Sequence, residues 1–168
     1  MAKIQHLTCG TGPAAEPMEN GKIICLNYGF IIQCSKDTGQ HTRLMGHEDR
    51  MAYLITFDAK YKYLWGITTP RKVPPINWLN ALLTQIKPTT TTKLAVRMDQ
   101  GGELGCNKQV QMLFLWHGYI IQPTTADSLS QNSMAECQHQ MIGKALQAML
   151  HGVDLPMAYL PEVFYHYL

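Results

Sequence analysis

Hydrophobic and polar residues alternate along the chain in blocks that outline its elements. "KIICLNYGFII" (22–32) is apolar and rich in β-branched side chains, which predicts a buried strand. The polar, glycine-punctuated stretch 35–49 predicts a long surface connection. "MAYLITFDA" (51–59) and "KYLWGITT" (62–69) predict two strands joined by a tight turn at Ala59–Lys60–Tyr61. Arg71-Lys72-Val73-Pro74-Pro75 stops that hairpin. Ile76, Leu79, Leu82, Leu83 and Ile86 then recur at the spacing of a helix with one buried face. "KLAVRM" (93–98) has the continuous apolar centre of an interior strand. Residues 107–118 predict a helix stopped by Gly118, and "YII" (119–121) a short strand. A polar loop (122–132) leads into a long helix from about Ser133 to His151, with Met134, Met141, Ala145, Ala148 and Met149 on its apolar side. Gly152 ends it, and Asp154 with Pro156 opens a last helix. The order predicts an α/β fold with a mixed five-stranded sheet flanked by helices, the first three strands antiparallel and the later ones joined by parallel crossovers. Residues 1–20 read as a loose leader, and 21–168 as one domain.

Composition narrows the class. With 168 residues, 46% hydrophobic and 15% charged, the chain predicts a globular domain. No apolar run is long enough for a membrane span, and the N-terminus lacks a signal-peptide core, so an intracellular protein is expected. The five cysteines are scattered and unpaired by spacing, which favours a reducing compartment. His6-x-x-Cys9 has no second pair to complete a zinc site. The net charge is +2, unevenly distributed: residues 1–86 carry nine Lys/Arg against six acids, and residues 87–168 five against six. Nucleic-acid binding draws on a basic surface, and the second half supplies little of one.

Two acids stand out. Asp99 follows an apolar strand and precedes Gly101 and Gly102, so it is either a turn former or a ligand at the carboxyl end of a strand, where open α/β sheets bind. Glu136 completes a Ser133-x-x-Glu136 capping box, yet it also shares a polar helix side with Gln140, Gly143 and Gln147. His139 is expected to be a solvated helix-surface residue. Met141, Met149 and Met157 are expected to fill core, as are Trp65, Trp78 and Trp116.

"VRMDQGGEL", then "HGYIIQPTTADSLSQNSMAECQHQMIGKALQAML", then "LPMAYLPEVFYHYL" together resemble the catalytic core of copia-type retrotransposon integrases. The likeness covers most of 93–168 and is collinear. It implies an RNase H-like fold and a D,D,E triad in which Asp99 is the second acid and Glu136 the third, with residues 100–135 between them. Three such carboxylates hold two Mg²⁺ (or Mn²⁺) ions for phosphodiester cleavage and DNA strand transfer. The resemblance further implies DNA as partner, a homodimer, and a nuclear place of action.

The chain departs from the family's pattern where charge matters. The first acid should stand in "CLNYGF", but that position is Asn27. An amide oxygen can touch a metal, yet it brings no charge and bridges two ions poorly. Asp58 matches a family acid outside the triad. Asn132–Ser133 replaces Asn-Gly, and Cys137 and Gln140 replace arginines that would face phosphates. The positions implied for nucleic-acid contact are thus Asn132, Gln140 and Lys144, with metal binding at Asp99 and Glu136 weakened by Asn27. Each change is one transition from the family residue, so the expectation is a decayed core, truncated at its C-terminal end, with impaired catalysis. The alternative is a non-catalytic RNase H-like module used for binding or dimerisation.

Overall fold

The computed structural model describes residues 23–30, 32–34, 41–43, 49–59, 63–86, 94–99, 103–124 and 129–168. The leader reading of 1–20, the His6/Cys9 pair, and Gly101 and Gly102 lie outside these residues. The strands are β1 (Ile23–Phe30), β2 (Ile32–Cys34), β3 (His41–Arg43), β4 (Ala52–Asp58), β5 (Leu64–Thr69), β6 (Leu94–Asp99) and β7 (Tyr119–Thr124). The helices are α1 (Ile76–Gln85), α2 (Lys108–Trp116), α3 (Leu129–Gly152) and α4 (Leu160–Tyr167), the last preceded by a 3₁₀ turn at Met157–Tyr159.

Five strands form one mixed sheet in the order β5-β4-β1-β6-β7. β1 pairs antiparallel with β4, and β4 with β5; β1–β6 and β6–β7 are parallel. The expected run of three antiparallel strands in chain order is not what forms. The second and third strands of the chain, β2 and β3, make a separate antiparallel pair within what the sequence reading took for the end of one strand and a surface connection. A two-stranded ladder of three residues each is too short to carry a readable alternation.

Strand alternation divides the sheet into two apolar faces. Ile24, Leu26, Leu54, Val96 and Met98 meet Leu79 and Leu83 of α1 and Val110 and Phe114 of α2. Tyr53, Ile55, Phe57 and Leu64 meet Ile142, Leu146 and Leu150 of α3 and Val163, Phe164 and Leu168 of α4. Each fully buried Leu, Ile or Phe contributes roughly 1.5–3 kcal/mol, so both helical layers are firmly seated. α2 starts where Asn107 Oδ1 accepts from the N–H groups of Gln109 (3.0 Å) and Val110 (3.2 Å). It stops before Gly118, whose φ of +82° suits glycine.

The β5 edge of the sheet is occupied. On β5, Arg50 Nη1 donates to the Thr68 carbonyl (2.6 Å), while the Thr68 N–H donates to the Tyr165 hydroxyl (3.0 Å). β7 runs three residues beyond the expected "YII" and accommodates Pro123, as an edge strand can. Among the described residues no helix is long and apolar enough to cross a membrane.

The largest departure lies in α3. The helix begins at Leu129, so Ser133 is four residues inside it rather than at its cap, and the capping-box reading of Ser133 and Glu136 does not hold. Its buried side is Gln138, Ile142, Leu146 and Leu150, spaced by four; Met149 is exposed and Met141 only half-buried. Branched Ile and Leu outweigh the Met/Ala stripe in choosing the core side. Trp116, expected in the core, is 87% exposed, because Val110 and Phe114 already fill the inner side of α2.

Candidate functional site

β1 and β6 run parallel with Ile24 opposite Val96, Cys25 opposite Arg97 and Leu26 opposite Met98. Asn27 and Asp99 are the next residue of each strand, so the two positions stand side by side toward the carboxyl ends of adjacent parallel strands. This is the end of an α/β sheet at which ligands bind. By alternation both positions belong to the sheet face shared by Cys25, Ile55 and Phe57, which α3 and α4 cover. Asn27 is half-buried. Asp58 is different: it pairs with Ile24, three residues away along β1, and falls on the opposite face.

A polar contact ties α3 to this face. Tyr53, opposite Gly29 in the β1–β4 ladder, brings its hydroxyl to 3.0 Å from His139 Nδ1. The rings sit 5.5 Å apart, and Tyr53 also meets Phe164 at 5.1 Å. Only glycine fits at position 29, since a Cβ there would overlap the Tyr53 ring. Burial pushes the Tyr53 hydroxyl up to about 12. His139 is driven down to about 4, first by burial and then by the positive charge of Lys72. It is therefore neutral near pH 7, and its buried Nε2 has no hydrogen-bond partner among the described residues. The solvated role expected for His139 is overturned: it is the polar anchor between α3 and the sheet.

Glu136 lies three residues before His139, on the same flank of α3 and about one turn nearer its start. Position 136 thus lies on the helix that covers the face holding positions 27 and 99. The side chains of Asp99, Asn132 and Glu136 lie outside the described residues. Gln140 and Lys144 are both exposed and one turn apart on the outer side of α3, away from the core. Arg97, two residues before Asp99, donates from Nε to Gln122 Oε1 at 3.2 Å across the β6–β7 pair.

Among the described residues no group of three or more His, Cys, Asp or Glu side chains converges to hold a metal ion. The implied ligand set is one amide and two carboxylates. All three supply hard oxygen donors and so fit Mg²⁺ or Mn²⁺ in type, but with two formal charges in place of three. Reasoning from the sequence missed two polar members of this neighbourhood, Tyr53 and Lys72, which the topology alone brings in. No protein-family model matches the chain, and a search of curated proteins also finds no match.

Proposed function

We propose that the chain is an integrase core-like domain of retrotransposon origin, RNase H-like in fold, whose chemistry is Mg²⁺-dependent phosphodiester cleavage and DNA strand transfer. One observation carries the reading. Asn27 and Asp99 are neighbours toward the carboxyl ends of parallel β1 and β6, and α3, which bears Glu136, covers the same face. A D,D,E-type site requires this juxtaposition of two strands and a helix, and the mixed sheet with helices on both faces is compatible with it.

Asp99, Glu136 and the Asn27 amide would hold the cation; when bound, Mg²⁺ would supply Lewis-acid activation of the attacking and leaving oxygens. With an amide in the first position the site loses one negative charge, so metal binding is weak and catalysis impaired. DNA is the partner, with Asn132, Gln140 and Lys144 on the helix that would meet it, and the nucleus is its place of action. The test is a disintegration-type strand-transfer assay in Mn²⁺ on the unaltered chain and Asn27→Asp. Activity that appears in Asn27→Asp and is lost again in Asn27→Asp/Asp99→Asn supports the reading; inactivity of Asn27→Asp speaks against it.

A second reading is a module that survives for dimerisation. Met112, Leu115 and Trp116 on α2 and Ile120 on β7, the edge strand beside which α2 packs, are 51–87% exposed apolar residues. Side chains of this size expose on the order of 500 Å², a large share of the roughly 800 Å² per partner in a standard interface. A second copy is the occupant this reading names. Sedimentation of the unaltered chain as a dimer and of Trp116→Glu as a monomer would support it; a monomer in both would not.

A further inference from the structure

Lys72 leaves β5 in the turn toward α1, in the more basic half of the sequence, where nothing in the sequence assigns it a role. The fold carries it to the end of the sheet at which the candidate site lies. Its ammonium sits 4.4 Å from the centroid of the Phe30 ring, three residues past Asn27 on β1. It also sits 3.9 Å from Glu103 Oε1, four residues past Asp99. Its charge reaches His139, three residues past Glu136 on α3, and helps hold that ring neutral. One cation therefore contacts the chain just past two of the segments that bear the candidate site, at Phe30 and Glu103, and its charge is felt by His139 on the third. We infer that Lys72 binds a backbone phosphate of the nucleic-acid strand presented to that site, an inference that rests on the function proposed above.

Three features suit Lys72 to this task. The Phe30 ring face holds the ammonium in place electrostatically, so less freedom is lost when a phosphate arrives. The Lys72–Glu103 separation exceeds hydrogen-bond distance, and the side chains are 28% and 43% exposed. The pair is accordingly weak, and a phosphate can displace the carboxylate. Finally, the half of the chain that carries Asp99 and Glu136 is poor in cations, and Lys72 supplies one from the other half.

The test is fluorescence anisotropy with a short labelled DNA duplex, across a salt series in EDTA so that no metal contributes. The unaltered chain binds with salt-dependent affinity. Lys72→Gln binds about three- to tenfold more weakly, and its log–log salt slope falls by about 0.9, one phosphate's worth. Lys72→Arg restores both. Glu103→Gln, which frees the ammonium without removing it, binds more tightly. Binding by the unaltered chain with the same slope in Lys72→Gln and the same affinity in Glu103→Gln overturns the role of Lys72 alone. No binding by the unaltered chain overturns the role together with the proposed function.

Discussion

Acidification should weaken this fold through the His139 ring. Its folded-state value of about 4 lies below the 6.5 of a free histidine, because it is buried beside Tyr53 and feels the charge of Lys72. The unfolded chain therefore takes up this proton first. The stabilisation is fully present above about pH 6.5 and is lost as pH falls through 6.5 toward 4, below which it declines no further. At 1.36 kcal/mol per pKa unit the lowering corresponds to about 3 kcal/mol, and partial solvent access at the ring edge trims it to about 2 kcal/mol. Urea unfolding followed by tryptophan fluorescence at about pH 7 and about pH 4.5 measures it, with His139→Gln as the reference. Carboxylates titrate alike in both proteins and cancel in the difference. The unaltered chain should lose about 2 kcal/mol more than His139→Gln over that interval. Equal losses in the two proteins would refute the buried, neutral anchor between α3 and β4.

Two other expectations concern packing. Gly66→Ala would bring its Cβ to 2.6 Å from Phe164 Cζ and 2.9 Å from Leu168 Cδ1. It should cost about 1–3 kcal/mol as α4 is pushed off β5, read as a lower urea midpoint. Asn107→Ala removes both acceptor contacts to the start of α2; it should cost about 1 kcal/mol, and Asn107→Asp should recover most of it. Thermal melts of the three proteins check this.

The parts of the fold that were legible in the sequence are those where one side of an element is unambiguously apolar. α1 buries Leu79, Leu82 and Leu83 as its spacing predicts, and Asn107 and Gly118 mark the ends of α2 by chemistry that is local to the chain. α3 was harder. It buries Gln138 and half-buries His139, whose placement depends on Tyr53 and the sheet rather than on periodicity, and leaves Met149 outside. Trp116 carries no sign in the sequence of which side of α2 it occupies.

The candidate site divides the same way. The residues alone left Asp99 open between a turn former and a strand-end ligand and Glu136 between a helix cap and a polar-side residue, and it was the resemblance that joined them to Asn27. That Asn27 and Asp99 are neighbours depends on the parallel pairing of strands separated by more than sixty residues. Lys72 was invisible for a related reason. Its surroundings, Phe30, Glu103 and His139, come from three distant segments, and no spacing rule connects them.

The central claim is that positions 27, 99 and 136 share one cation site, and Mn²⁺ titration calorimetry on three proteins tests it most directly. Asn27→Asp should bind Mn²⁺ at least about tenfold more tightly than the unaltered chain, because a carboxylate replaces a neutral amide among hard oxygen ligands. Adding Glu136→Gln to Asn27→Asp should abolish that gain, since the helix supplies the third oxygen. A gain that survives Glu136→Gln, or no gain from Asn27→Asp, would contradict the convergence of β1, β6 and α3 on one metal.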